Sequence, residues 1–537
     1  MRKSNKVFLY DTTLRDGAQA EEVSFSLDDK LKITESLDDL GVHYVEGGWP
    51  GSNPRDEAFF KEARKLTLKT SKITAFGSTH HPKNKPSDDP NIKLLLAAKT
   101  PCVTVFGKSW DMHVKDVLGI SMKRNLELIH DTVAYLKKHV DEVLFDAEHF
   151  FDGYKNNPEY AISALEAAKD GGADWLALCE TNGGALTFEV EEIVEAVITR
   201  FPKANIGIHC HNDSEVGVAN TLVAVKKGAR QVHGTINGIG ERCGNANLCS
   251  IIPNLQLKMG HKCVSASQLK KLRDVSTLVY ELANLARRPY QAYVGRSAFA
   301  HKGGVHVAAV RKKPEAYEHI KPQVVGGRRR VLVSDLSGKG NVLAKAEQFG
   351  IDLVGKDDET KLILTELKKL EAEGFLFEGA DASFELLIRK VIGQWKKKFD
   401  VVRARVVSSF SNEQGDDWAE AVIKLRLPDG SVTHAVAEGI GPVNALDKAV
   451  RTALVESYPE LSDVELHDFK VRLLDDSKTE SKTRVLIESG DGETRWGTVG
   501  VSENIIEASW QALLDSLEYK LHRPSSKKQL KKKKRKK

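Results

Sequence analysis

Two histidines stand two residues apart in the segment His209-Cys210-His211-Asn212-Asp213. In an extended strand, residues i and i+2 face the same side, so both imidazoles converge while Cys210 points away. Converging imidazoles can bind a divalent metal, although a hydrogen-bonded pair of buried histidines would carry the same signature. An acid and an amide would complete such a site, and Asp16 and Asn245 are available in other polar loops. An imidazole, carboxylate and amide set suits Mg, Mn or Zn without choosing among them. Arg15 adjoins Asp16. A guanidinium beside a metal suits a carbonyl oxygen that becomes an alkoxide or enolate, and a structural salt bridge is the competing reading. Asp146 and Glu148 share strand parity, which fits either substrate positioning and proton transfer or plain hydrogen bonding at a strand end. The turn Gly238-Ile239-Gly240 through Gly244-Asn245 can offer backbone N–H groups to an anion. It lacks the G-x-G-x-x-G spacing and does not follow a first strand, so it is no dinucleotide fingerprint.

These residues need a scaffold that brings distant loops together. Over roughly the first 260 residues, short apolar runs alternate with amphipathic stretches. The strand-like runs are Val7–Tyr10, Tyr44–Glu46, Ile73–Gly77, Cys102–Phe106, Val143–Asp146, Trp175–Cys179, Ile206–His209 and Val232–Ile236. Leu126, Ile129, Val133, Leu136 and Val140 follow helical steps of 3 and 4 between two of them. Ser26 or Asp28, Asn157-Pro158 and Thr187 are expected helix starts. Eight such units predict an α/β fold, a (β/α)8 TIM barrel, with a doubly wound open sheet as the alternative. Every polar loop named above then lies at the C-terminal end of a strand, where barrel active sites form.

The remaining chain divides further. Residues 1–265 read as the catalytic barrel and 266–390 as small helical linker subdomains. Residues 391–522 read as a C-terminal α+β regulatory and dimerisation domain, and 523–537 as a basic disordered tail. In the third segment, Gly439–Asn444 and Gly500–Asn504 each precede an expected helix, which predicts two copies of one strands-then-helix unit.

The 537 residues carry 80 Lys+Arg against 75 Asp+Glu, for a net charge of +5. The tail KKQLKKKKRKK supplies nine positive charges and no negative one, so removing it takes +5 to −4. The basic character therefore belongs to the tail, and a specific nucleic-acid surface is not expected. Six cysteines without a CxxC pair fit a reducing compartment, and the absence of an apolar leader or long apolar run predicts a cytoplasmic protein without a membrane span.

Six blocks also resemble the metal-dependent acetyl-CoA Claisen-condensing enzymes: the 2-isopropylmalate, homocitrate and citramalate synthases, related to hydroxymethylglutaryl-CoA lyase. They are DTTLRDGAQ at 11–19, ETNGG at 180–184, HCHND at 209–213, NGIGERCGNAN at 237–247, FAHKGGVH at 299–306 with AYEHIKPQVVG at 316–326, and EGIGPVNALDKAV at 438–450. EGGWPGSNPRDEAFF at 46–60 and AEHFFDGY at 147–154 are similar to one bacterial citramalate synthase type. The resemblance implies condensation of acetyl-CoA with pyruvate to citramalate and CoA, in isoleucine synthesis; 2-isopropylmalate or homocitrate synthase is the alternative. It implies a divalent metal on Asp16, His209, His211 and Asn245, and Arg15 on the keto carbonyl. It further implies Glu148 and Thr181 on the 2-oxo acid, and His306 generating the acetyl-CoA enolate with help from Tyr317. Related sequences often carry an acid two residues after that histidine, where this chain has Ala308. A homodimer with isoleucine as effector at the C-terminal domain is implied as well.

Overall fold

The computed structural model describes residues 5–409, 418–474 and 481–523. They form two compact units. The first holds residues up to Phe299 together with Ile320–Arg329, and the second holds Ala300–His319 and the described residues from Arg330 onward.

In the first unit, strands β1 (Phe8–Asp11), β2 (Tyr44–Gly48), β3 (Lys72–Ser78), β4 (Cys102–Lys108), β5 (Glu142–Glu148), β6 (Trp175–Glu180), β7 (Ile206–Cys210) and β8 (Gln231–Gly234) pair in parallel and in order. The ladder closes where Leu9 meets Val232 and Tyr10 meets His233. That pairing decides for the barrel over the open sheet. The intervening helices obey local capping rules. Ser26 caps the helix Leu27–Leu40 by accepting from Asp29 N, and the Asp29 carboxylate accepts from Ser26 N in return. Asn157 caps Pro158–Asp170 by accepting from Tyr160 N. The helix expected at Thr187 begins there, and Glu189 accepts from Leu186 N just before it.

Alternation along the strands separates two environments. Val143, Phe145 and Ala147 of β5 pack outward under the helices, as do Ile206, Ile208 and Cys210 of β7. The opposite parity points into the barrel. Near the lower end this interior is aromatic: Tyr10, Tyr44, Leu144 and Trp175 cluster, and Tyr10 stacks on His233 with ring centroids 4.0 Å apart. Higher up it turns polar. The Tyr10 hydroxyl donates to Glu46 Oε2 at 2.5 Å and lies 2.7 Å from Thr104 Oγ1.

The eighth strand ends earlier than its apolar pattern predicts, at Gly234 and not Ile236. The reason is a close backbone crossing: a Cβ on Gly234 would lie 2.3 Å from Ala246 O. The chain then turns through Asn237 at φ 66°, a conformation that asparagine tolerates better than most residues.

The second unit holds a short parallel pair, β9 (Ala300–His301) with β10 (Arg330–Val331), and helices Gly304–Lys312, Lys339–Gln348, Asp357–Ala372 and Asp381–Val391. The sheet β11 (Asp400–Ser409), β12 (Trp418–Arg426), β13 (Val432–Gly439) precedes the helix Pro442–Leu454. The sheet β14 (Glu465–Leu473), β15 (Thr483–Gly490), β16 (Arg495–Ser502) precedes Ile505–His522. Two strands-then-helix copies are therefore present, and they share a core that includes Ile423, Leu446, Val450, Ile487, Leu513 and Leu517. Their asparagines are not equivalent. Asn504 caps its helix by accepting from Ile506 N at 2.9 Å, whereas Asn444 lies inside the first turn of its own. Pro442, with φ preset for a helix, starts that turn earlier. Among the described residues no helix is long and apolar enough to cross a membrane. All six cysteines are free thiols, five of them buried. The basic tail at 527–537 lies outside the described residues.

Candidate metal and active site

Three loops at the C-terminal end of the barrel are tied to one another through backbone groups. After β1, Asp11 accepts from Thr13 N at 2.9 Å and Thr13 Oγ1 at 2.8 Å, while Thr13 Oγ1 accepts from Ile236 N at 2.9 Å. This turn fixes Arg15 and Asp16 against the eighth-strand loop. After β7, His211 N donates to Glu180 O at 3.1 Å, and Ala246 N donates to Cys210 O at 2.8 Å. Glu180 points away from the barrel interior, where its carboxylate accepts from Gly184 N and Ala185 N. That acid of the ETNGG segment is thus a loop organiser. Gly240 is required by space: a Cβ there would come within 1.9 Å of Asn245 Oδ1.

The outcome is a buried convergence of Asp16, His209 and His211. Asp16 Oδ2 lies 3.5 Å from His209 Nε2 and 3.7 Å from His211 Nε2. The Asn245 amide nitrogen lies 3.2 Å from His209 Nε2. Cys210 faces the helices, as its parity requires. Asp16 Oδ1, Asn245 Oδ1 and the Nδ1 atoms of both histidines are all buried without a hydrogen-bond partner. Four orphaned polar atoms in one place are costly and rare in a folded protein. Asp16 Oδ2 and the two Nε2 atoms lie close enough together to share one cation, so the donor set fits a divalent metal bound by N and O ligands.

The electrostatics agree. Burial alone would raise the Asp16 carboxyl, but the Arg15 guanidinium and then His209 and His211 hold it well below the usual carboxylate range. Burial, then His209, pushes His211 down to about 4, so at neutral pH its ring is an uncharged donor. Burial works against charge on Arg15, yet Glu46 and then Asp16 outweigh it and hold the guanidinium protonated. Arg15 Nη1 is 3.0 Å from Asp16 Oδ2, its Nε donates to Glu46 Oε1, and its guanidinium carbon lies 3.9 Å from the Phe76 ring centroid. Both readings of Arg15, salt bridge and carbonyl donor, therefore describe one group: its Nε is anchored while its outer face borders a cavity.

That cavity, about 210 Å³, is lined by Arg15, Asp16, Asp146, Glu148, Thr181, His209 and His211, with an aromatic wall of Trp49, Phe76 and Phe106. Thr181 Oγ1 accepts from His149 N at 2.9 Å. Of the residues singled out in the sequence, Arg15, Asp16, Glu148, Thr181, His209, His211 and Asn245 meet at this end of the barrel. His306 and Tyr317 belong to the second unit, where their rings stack with centroids 4.2 Å apart. Glu46, Lys108 and the aromatic wall were not singled out. They sit at the ends of strands two, three and four, and the rule that reactive groups collect at strand ends would have flagged them.

Burial, then Glu46, pushes the Asp146 carboxyl up to about 7. Its ordinary value is near 3.8, so between these limits the folded state holds a proton that the unfolded chain releases. Stability from this group is therefore present at low pH and lost as pH rises through about 7. In metal-free protein, Asp146→Asn should gain stability over wild type as pH goes from 4 to 8, by a few kcal/mol at the upper end. Urea melts at the two pH values measure it; an equal difference at both would show that Asp146 is not buried as an acid.

The comparisons with known proteins fit this geometry. Residues 6–279 match the HMGL-like family model. The chain belongs to the HMGL-like family. Residues 293–374 match the homocitrate synthase post-HMGL domain-like model, and 378–521 match the LeuA allosteric (dimerisation) domain. Among HMGL-like relatives, an (R)-citramalate synthase of Geobacter sulfurreducens is 57% identical, covering 96% of this chain and 98% of the relative. One from Aquifex aeolicus is 55% identical over 96% and 98%. A 2-isopropylmalate synthase of Methanocaldococcus jannaschii is 30% identical over 96% and 94%.

Proposed function

We propose that this chain is a citramalate synthase, which condenses acetyl-CoA with pyruvate and hydrolyses the thioester to give citramalate and CoA. The observation that carries the reading is identity above one half, over nearly the whole of both chains, to two (R)-citramalate synthases. The 2-isopropylmalate synthase stands much further off. The converging Asp16, His209, His211 and Asn245 supply the matching chemistry. We assign these four as ligands of a divalent cation, whose contribution when bound is to polarise the keto group of the 2-oxo acid.

The protein groups then divide the work. Arg15, anchored by Glu46, faces the keto oxygen and stabilises the negative charge that develops there. Glu148 and Thr181 position the 2-oxo acid. His306, with Tyr317 beside it, removes a methyl proton from acetyl-CoA; the resulting carbanion attacks the keto carbon, and water cleaves the thioester. A thioester methyl is a very weak acid, so a positioned base is needed. With Ala308 two residues beyond, His306 acts without an acidic partner at that position. In this assignment residues 1–265 carry the barrel chemistry, 266–390 link, and 391–522 bind isoleucine and hold a homodimer. The match to a LeuA allosteric (dimerisation) domain supports the last part. The enzyme would serve isoleucine synthesis in the cytoplasm.

Free-thiol release by purified protein with acetyl-CoA and a panel of 2-oxo acids tests the reading. Pyruvate should give the highest kcat/KM. If 2-oxoisovalerate outpaces it, the protein is a 2-isopropylmalate synthase instead.

A further inference from the structure

Lys108 and Glu148 are register partners at the C-terminal ends of β4 and β5. Lys108 Nζ donates to Glu148 Oε2, in an ion pair whose side chains are 20% and 24% exposed. Both backbones are pinned. Lys108 O accepts from Asn125 Nδ2 at 2.8 Å, and Glu148 O accepts from Ser109 Oγ at 2.6 Å. The ammonium lies 5.6 Å from the Phe106 ring centroid, so the lysine is held over the aromatic wall as well. Glu148 lines the reaction cavity, and its second oxygen, Oε1, takes no hydrogen bond from the described residues.

We propose that Lys108 is the positioning residue for Glu148: it occupies Oε2 and so presents Oε1 to the 2-oxo acid. The inference rests on the function proposed above. An unpaired glutamate side chain would sample several rotamers. The ammonium on Oε2 selects one of them. Such control matters because displacing a positioned group by about 1 Å can cost on the order of 100-fold in rate. A partly exposed ion pair contributes little to stability by itself, so its removal should act on turnover and not on folding.

The test is a double-mutant cycle on the full chain. Wild type is first assayed with the 2-oxo acid panel, and the cycle uses whichever acid gives the highest kcat/KM. A failure of the pyruvate reading thus appears in the panel, and a failure of the Lys108 reading appears in the cycle. Lys108→Met should lower kcat about 100-fold, leave the KM for acetyl-CoA unchanged and keep the melting temperature near that of wild type. Lys108→Arg should recover most of the loss. In Lys108→Met/Glu148→Gln, kcat should be no lower than in Glu148→Gln alone, since the lysine acts through the glutamate. A kcat for Lys108→Met within a few-fold of wild type overturns the proposal. So do losses that multiply in the double variant, which would mean that the lysine holds substrate by itself. Lys108→Gln carries the same comparison if the methionine variant does not fold. A wild type inert toward every 2-oxo acid overturns both readings.

Discussion

His209→Ala and Asp16→Ala should each lose turnover by at least about 1,000-fold, since a Lewis-acid site is worth several kcal/mol in the transition state and each 1.4 kcal/mol is a factor of ten. The barrel should stay folded. His209 and Asp16 lie outside the hydrophobic core, and the orphaned Nδ1 and Oδ1 atoms show groups held ready at some cost. Removing one of them relieves part of that cost. His209→Ala is the cleaner of the two, because Asp16 also pairs with Arg15. Circular dichroism should therefore match wild type for both, with the thermal melt of His209→Ala close to wild type and that of Asp16→Ala lowered by the lost Arg15 pair. Titration of the protein with Mn²⁺, followed by electron paramagnetic resonance, should show one site in wild type and a much weaker one in each variant. If both variants keep turnover within tenfold of wild type, the metal assignment fails.

Arg15→Met carries the second large effect, with a loss in both activity and stability. Arg15 is the partner of a fully buried carboxylate, Glu46, which also accepts from the Tyr10 hydroxyl. Removing one member of a buried ion pair leaves an uncompensated charge and costs about 3–5 kcal/mol. Removing one donor to a developing oxyanion costs about 100- to 1,000-fold in kcat. The two losses are separable. Arg15→Met/Glu46→Gln should restore part of the melting temperature, because the Glu46 charge is gone and only Asp16 lacks the guanidinium, while kcat stays low. If the double variant regains activity along with stability, Arg15 only braces the barrel and takes no part in stabilising charge on the substrate.

Several parts of this molecule are legible in the sequence alone. The eight strand-like runs fall on the eight barrel strands, because each is buried on both faces and so must be apolar nearly throughout. His209 and His211 converge because the two-residue period of a strand admits no other outcome while both stay in it. The repeat of three strands and a helix could be sensed from its helix starts alone. Other parts were not legible. Glu46 and Lys108 can be placed at strand ends from the sequence, but their partners cannot. Only pairing between neighbouring strand ends, which sets Arg15 against Glu46 and Lys108 against Glu148, gives them a role. The same holds for Trp49, Phe76 and Phe106, which read as core residues until three separate strand ends bring them to one wall.

The sequence by itself determined the periodicities: strand and helix alternation, side-chain parity, and the capping groups at Ser26, Asn157 and Asn504. These depend on residues a few positions apart, so local sterics and hydrogen bonds suffice. Only the tertiary structure decided that the sheet closes, through Leu9 against Val232. It also decided that Asp16 and Asn245, far apart in the chain, stand beside one histidine pair. The length of chain between such groups makes their meeting a matter of barrel closure and loop-to-loop hydrogen bonding, which no short window of sequence encodes. The charge state of the site follows the same division. The acids were visible as letters, but burial and the guanidinium beside them set Asp16 low and Asp146 high.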